Sequence, residues 1–146
     1  MPDPPPPSDN PASLRRSIGG RGEDVAALYL RRRGCTILAR RWYANPGEID
    51  IIARCPSDSP HQETAELPPT LAFIEVRTRH GQPGLAEESI SSHKAAAMVA
   101  AAYAYMQAHD IDPEATPWRI DLVAVTMSGY KVTDINWVKG ALESEG

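Results

Sequence analysis

The segment from Leu71 to Thr78 is the feature that most constrains the fold of this chain. Its sequence, LAFIEVRT, is typical of a β-strand, in which successive side chains point to opposite faces of a sheet. Both faces of this strand begin with apolar residues, whereas a strand with one wet face alternates apolar and polar residues from its start. The pattern therefore predicts a central strand that is covered on both sides, as in a sheet with helices packed on it.

Two helices and four further strands are predicted around this central strand. Apolar residues recur at helical spacing between Gly20 and Arg33, and an Ala-rich helix is predicted from about Ser91 to His109. The other predicted strands are Thr36–Tyr43, Gly47–Ala53, Trp118–Thr126 and Tyr130–Val138. The order αβββαββ predicts an α/β fold, with a mixed central sheet of about five strands flanked by two main helices.

Composition predicts one domain and two short termini. Residues 1–15 are expected to be a disordered arm, because six of the 14 prolines lie within Met1–Pro11. Residues 16–140 are expected to form the domain, with residues 56–69 as an exposed Pro-rich loop, and residues 141–146 as a flexible tail. The sequence contains neither a long apolar run nor a signal peptide, so a cytoplasmic location is expected.

The two cysteines, Cys35 and Cys55, have no spacing typical of a zinc site or a disulfide framework. Free cysteine is among the residue types most often found in protein cores. We therefore interpret them as two buried thiols.

The net charge of −4 conceals an asymmetry along the chain. Residues 11–60 hold nine arginines and five acids, whereas residues 61–146 hold six basic residues and 12 acids. Because Lys and Arg dominate phosphate binding, a nucleic-acid surface is expected in the N-terminal half. The candidate contacts there are Arg31, Arg32, Arg33, Arg40 and Arg41. The alternative is a solvated helix end, where cations also suit the helix dipole.

Acidic residues interrupt two otherwise apolar strands. Asp50 lies within GEIDII and Glu75 within FIEVR, and ionised carboxylates in core strands are costly unless they are paired or bound to a cation. Glu23 lies on the stripe of the first helix that would turn toward the sheet. Three carboxylates and a backbone carbonyl would suit Mg²⁺ or Mn²⁺. The alternative is a buried ion-pair cluster that includes Arg77.

Three segments carry a resemblance to a known family: Gly22-Glu23, Gly47-Glu48-Ile49-Asp50 and Glu75-Val76-Arg77. Their layout resembles the YraN-like family of bacterial proteins, which is related to the Holliday junction resolvases and other PD-(D/E)XK endonucleases. The resemblance extends over about Ile18 to Val125. It implies a restriction-endonuclease-like fold and metal-dependent hydrolysis of DNA phosphodiester bonds, with branched or single-stranded DNA as the expected substrate.

The resemblance also implies roles for individual residues. Asp50 and Glu75 would be ligands of Mg²⁺ or Mn²⁺ together with the backbone carbonyl of Val76, and Glu23 would be an accessory ligand. Arg77 stands where the superfamily motif usually has Lys, and because Arg stays cationic it would hold a substrate phosphate.

Lys94 on the second helix is one candidate to replace the missing lysine of the motif; the alternative is that the metal alone activates water while Arg77 holds a phosphate. The stripe that Lys94 shares with Met98 and Tyr105 would turn toward the same part of the sheet. Arg79 and Lys94 complete the set of basic residues expected to contact nucleic acid.

Two functions of other classes remain open. One is a nucleic-acid-binding module that kept the fold and lost cleavage, which Arg77 favours. The other is a protein-interaction subunit that dimerises through its Ala-rich second helix. RNA remains a second candidate ligand beside DNA, no membrane partner is expected, and cutting of a junction would imply a two-fold homodimer.

Overall fold

The computed structural model describes residues 11–45, 47–57, 68–81 and 90–141. The elements are α1 (Pro11–Arg32), β1 (Thr36–Ala44), β2 (Gly47–Cys55), β3 (Thr70–His80), α2 (Ser92–Ala108), β4 (Trp118–Ser128) and β5 (Lys131–Val138). This is the order αβββαββ that the sequence predicts, and the α/β fold class is confirmed.

The strands form one mixed sheet in the spatial order β1-β2-β3-β4-β5. β1 and β2, β2 and β3, and β4 and β5 pair antiparallel, whereas β3 and β4 pair parallel. Parallel neighbours need a crossover connection, and α2 lies in the chain between β3 and β4. β3 is thus the central strand, as its two apolar faces predict.

Each face of the sheet is covered by one helix. Phe73 of β3 and Met98 of α2 lie in the core between the sheet and α2, and both side chains are almost fully buried. Ile74, the next residue of β3, lies in the opposite core with Leu30 of α1. The alternation of β3 between two helix-covered cores explains why it lacks the apolar and polar alternation of a half-exposed strand.

Two glycines allow the helices to lie close to the strands. A Cβ atom added to Gly47 of β2 would lie 2.9 Å from the carbonyl carbon of Ala97 in α2. A Cβ atom added to Gly22 of α1 would lie 3.0 Å from the Cβ of Thr78 in β3. Both separations are shorter than normal contacts, so glycine at these positions sets the distance between helix and sheet.

Gly22→Ala is expected to lower the free energy of unfolding by about 1–3 kcal/mol, because the added methyl group overpacks the α1–β3 contact. Gly20→Ala on the same helix is the matched control. Its Cβ would meet only Arg41 Nη2 at 3.4 Å, and alanine favours the helix over glycine by about 1 kcal/mol. Urea unfolding of both variants measures the difference. Equal free energies of unfolding for Gly22→Ala and Gly20→Ala would contradict this packing.

Helix α1 begins at Pro11, not at Gly20 as predicted from the apolar spacing, and it includes residues 11–15 of the predicted arm. Proline is well tolerated in the first turn of a helix, because its missing N–H would have no partner there. Residues 1–10 of the arm, residues 58–67 of the predicted loop and residues 142–146 of the predicted tail lie outside the described residues. Within the described part, no helix is both long and apolar enough to span a membrane.

The prediction of two free thiols is wrong, because Cys35 and Cys55 form a disulfide with a Cα–Cα distance of 4.2 Å. Thr36 of β1 pairs with Arg54 of β2, so the residue before the one and the residue after the other are neighbours across the hairpin. The cysteine spacing alone did not reveal the pair. Counting outward from the Ala44–Gly47 pair would place Cys35 opposite Pro56, and the register shift between Ile37 and Ala39 brings Cys35 opposite Cys55 instead.

Candidate metal centre

The candidate site begins where β2 separates from β3. Regular pairing between the two strands runs from Cys55 opposite Thr70 to Ile51 opposite Ile74. The next residue of β2 is Asp50, and here a side chain replaces the backbone as the partner of β3. Its Oδ2 accepts a hydrogen bond of 2.8 Å from the backbone N–H of Val76. The carboxylate therefore stands in for a backbone carbonyl at the point where the strands diverge.

An irregularity in β1 and β2 directs Asp50 toward this point. Ile49 and Ile52 both lie in the core beneath α2, although residues three apart on a regular strand face opposite sides. Opposite Asp50, between the pairs Arg40–Ile51 and Trp42–Ile49, lies Arg41 with a φ of 52°. This left-handed backbone, uncommon for a residue other than glycine, interrupts the alternation of the hairpin.

The surroundings of Asp50 disfavour its ionised form. The pKa of this carboxyl is raised from 3.8 to about 6, chiefly because the group is buried. The hydrogen bond from the Val76 N–H opposes the shift, and the nearby carboxylates of Glu23, Glu75 and Glu48 add to it. Burial and like charge both act against a second negative charge. A bound cation would relieve this repulsion.

Glu75 lies on β3 beside this point, and it is held between two cations. Its side chain is only 11% exposed. Lys94 Nζ of α2 lies 3.0 Å from Oε1, and Arg77 Nη2 lies 3.2 Å from Oε2. Ser91 caps α2 by accepting the backbone N–H of Lys94, so the helix starts at the site. Lys94 thus reaches one of the strand-borne acids, Glu75, from the second helix.

Glu23 has other partners. Its Oε2 accepts a 2.8 Å hydrogen bond from Arg41 Nε and lies 3.6 Å from Arg40, whose Nη1 contacts Asp24 at 2.8 Å. Two of the arginines expected to contact nucleic acid thus bind acids of α1.

The structure does not assemble the three-carboxylate centre expected from Asp50, Glu75 and Glu23. Throughout residues 11–45, 47–57, 68–81 and 90–141, no three His, Cys, Asp or Glu side chains converge as they would around a metal ion. The reason is that Arg40 and Arg41 pair with Glu23, which acts on Asp50 through its charge.

Two carboxylates nevertheless fit a magnesium-type cation. Mg²⁺ is commonly bound through one or two carboxylates and keeps several waters. Asp50 and Glu75 carry the carboxylate oxygens that Mg²⁺ and Mn²⁺ prefer. The backbone N–H of Val76 donates a hydrogen bond to the Asp50 carboxylate. The negative charges of Glu23, Glu75 and Glu48 contribute to the raised pKa of Asp50, behind the larger effect of its burial.

The remaining basic residues fall into two groups. Arg77, Arg79 and Lys94 lie near the C-terminal end of β3 or on α2 beside it. Arg31, Arg32 and Arg33 are exposed at the C-terminal end of α1, away from Asp50. Arg32 and Arg33 line a separate cavity of about 600 Å³ that also includes Tyr29, Pro56, Trp137 and Lys139. Sequence analysis missed Trp137 and Lys139, because nothing in their local pattern places them beside α1.

The mixed five-stranded sheet with one helix on each face, and the α2 crossover between its parallel strands, define an α/β protein of the order αβββαββ. The chain belongs to the uncharacterised protein family UPF0102, whose profile matches residues 22–125. This is the YraN-like family, so the resemblance seen in the sequence is confirmed. The matched segment includes Glu23, Asp50, Glu75 and Lys94.

Bacterial relatives cover most of the chain. A UPF0102 protein of Roseiflexus castenholzii is 46% identical over 123 residues, which are 84% of this chain and 88% of that protein. One of Chloroflexus aurantiacus is 42% identical over 128 residues, or 88% of this chain and 94% of that protein. One of Herminiimonas arsenicoxydans is 30% identical over 135 residues, or 92% of this chain and 93% of that protein.

Proposed function

We propose that this protein is an endonuclease that hydrolyses DNA phosphodiester bonds with Mg²⁺ or Mn²⁺. The observation that carries the proposal is the pair of acids at the β2–β3 divergence, Asp50 and Glu75, with the lysine ammonium of Lys94 3.0 Å from the second acid. Carboxylates can hold a divalent cation for phosphodiester hydrolysis, and a lysine beside them can orient or deprotonate the attacking water.

Asp50 and Glu75 would hold the cation. When bound, such a cation lowers the pKa of a coordinated water and offsets negative charge on the phosphate. The hydrogen bond from Val76 fixes the Asp50 carboxylate, and the side chains of Lys94 and Arg77 fix the Glu75 carboxylate. Both ligands are therefore oriented before substrate binds, which reduces the cost of reaching the reactive geometry.

Lys94 and Arg77 would divide the work of the motif lysine. A lysine can lose a proton and so can orient or deprotonate the attacking water, whereas arginine remains cationic. Because both contact the Glu75 carboxylate, one from α2 and one from β3, we assign water positioning to Lys94 and phosphate binding to Arg77.

The preference for branched or single-stranded DNA rests on Tyr43. This side chain is 64% exposed at the β1–β2 hairpin, where Tyr43 pairs with Glu48 two residues from Asp50. Its neighbour Trp42 packs inward on Tyr105, with 5.4 Å between ring centroids. An exposed ring beside the site can stack on an unpaired base, which a continuous duplex does not offer.

The proposal is tested by incubating the protein with a labelled four-way junction, a single strand and a linear duplex, each with Mn²⁺, Mg²⁺ or EDTA. We expect metal-dependent cleavage, and a loss of about 100-fold in Lys94→Met, since general acid–base groups contribute about 10²–10⁴-fold. Lys131→Met is the matched control, because it removes an exposed ammonium of β5.

Two results would overturn this proposal. Retention of DNA without cleavage of any substrate would indicate a binding module that has lost catalysis. Absence of both cleavage and DNA retention at low salt would indicate a protein-interaction subunit.

A further inference from the structure

A second concave site lies at the other end of α1 from the carboxylates. The cavity of about 600 Å³ is lined by Tyr29, Arg32, Arg33, Pro56, Trp137 and Lys139. Arg32 follows Glu23 by nine residues, or roughly 14 Å along the helix axis at 1.5 Å per residue. Asp50 and Glu75 are absent from the lining, so this cavity is separate from the candidate metal centre.

Two cationic side chains of this cavity lie over aromatic rings. The guanidinium of Arg33 lies 4.1 Å from the ring centroid of Tyr29, and the ammonium of Lys139 lies 4.4 Å from that of Trp137. The two rings meet edge to face, with 6.5 Å between their centroids. Cation–π contacts of this kind restrict long side chains, so less ordering is required when an anion binds.

A buried carboxylate fixes the Trp137 wall from beneath. Asp121 is fully buried and accepts hydrogen bonds of 2.9 Å from Trp137 Nε1, from the backbone N–H of Gly140 and from Arg119 Nε. These bonds hold the indole and the chain just after Lys139. Asp121 itself does not line the cavity.

The lining combines positive charge with flat apolar surface. Arg32, Arg33 and Lys139 are cationic, and the described residues that line the cavity include no Asp or Glu. Guanidinium groups suit phosphate oxygens, which they bind through paired hydrogen bonds. A volume of about 600 Å³ is within the usual range for organic ligands and exceeds the needs of an inorganic anion. The cavity therefore has the charge and the room for a ligand that carries both a phosphate and a ring system.

We propose that this cavity binds a nucleoside 5′-phosphate, either free or at the 5′ end of a nucleic-acid strand. The phosphate contacts Arg32 and Arg33 at the end of α1. The base lies against the wall formed by Trp137 and Pro56. The site uses none of the residues assigned to hydrolysis, so this inference does not rest on the proposed nuclease function.

The test follows the tryptophan indole N–H signals of ¹⁵N-labelled protein by NMR, in EDTA so that the carboxylate site carries no metal. The chain has three tryptophans, and loss of one signal in Trp137→Phe assigns Trp137. We expect adenosine 5′-monophosphate to shift the Trp137 signal and to bind at least about tenfold more tightly than adenosine or inorganic phosphate. A 5′-phosphorylated dinucleotide, compared with its 5′-hydroxyl form, shows whether a strand end also enters.

Arg33→Gln is expected to weaken this binding about tenfold, whereas Arg31→Gln is expected to leave it unchanged. Arg31 is the matched control, because it is exposed on the same helical turn and does not line the cavity. Three results would overturn the proposal: no shift of the Trp137 signal, equal affinity for adenosine and its monophosphate, or equal weakening by the two variants. Loss of nuclease activity elsewhere in the protein would affect none of these readouts.

Discussion

Asp50→Asn is expected to abolish metal-dependent cleavage and, at the same time, to make the protein more stable at about pH 8. Changes to residues that merely support metal ligands cost about 10–100-fold, so loss of a ligand should cost about 100-fold or more. Asparagine keeps an oxygen that can accept the Val76 N–H, so the β2–β3 junction is preserved. The variant also removes a carboxylate whose ionisation its surroundings disfavour.

The stability change should depend on pH in a defined direction. Because the pKa of Asp50 is raised from 3.8 to about 6, its contribution to stability is fully present below about pH 4 and is lost as the pH rises through 6. The difference corresponds to about 2–3 kcal/mol at 1.36 kcal/mol per pKa unit. The variant lacks this titration, so its advantage should be near zero at about pH 4 and complete above about pH 7.

Urea unfolding in EDTA across this pH range measures the effect. Asp134→Asn, which changes an exposed carboxylate of β5, should show no such pH dependence. Added Mn²⁺ should stabilise the wild type and leave Asp50→Asn unchanged, because a ligand that binds the native state stabilises it. An Asp50→Asn protein that is less stable than the wild type at every pH would show that the carboxylate is a structural group.

Reduction of the Cys35–Cys55 disulfide is expected to lower the free energy of unfolding by about 3 kcal/mol. The bond closes a loop with a sequence separation of 20 residues, and a crosslink of this size removes about 3 kcal/mol of chain entropy from the unfolded state. The bond ties the chain after α1 to the end of β2. The loss should therefore appear as earlier unfolding of the whole domain.

Urea unfolding with and without a reductant gives this difference. The Cys35→Ser/Cys55→Ser double variant is the control, and its stability should not respond to the reductant. Thiol titration of the denatured, unreduced protein should detect no free thiol. Two reactive thiols in that sample, with identical unfolding curves, would contradict the disulfide.

The fold was predictable because its elements have strong local patterns. Both faces of β3 begin with apolar residues, and this pattern indicated a central position with both faces of the strand covered. The helical spacing of Lys94, Met98 and Tyr105 indicated the face of α2 that packs on the sheet, and Lys94 on that face contacts Glu75. In both cases the period of the pattern carries the three-dimensional information.

The detail of the site depends on contacts that local pattern does not contain. Glu23 lies on the predicted stripe of α1, but its side chain binds Arg41. The left-handed backbone of Arg41 was not indicated by any local propensity. The role of Asp50 as an acceptor for Val76 likewise arises from the separation of β2 from β3. Trp137 of β5 contacts Tyr29 near the end of α1 because of the order of the strands in the sheet, and local sequence patterns do not reveal that order.

The outer strands of the sheet bear on how copies of this protein meet. β1 and β5 each have one described neighbour, and such strands invite aggregation when a foreign strand can extend their hydrogen-bond ladder. β1 has a register shift between Ile37 and Ala39, and β5 carries the exposed charges of Lys131 and Asp134. Irregular and charged margins of this kind resist the addition of a strand from another copy.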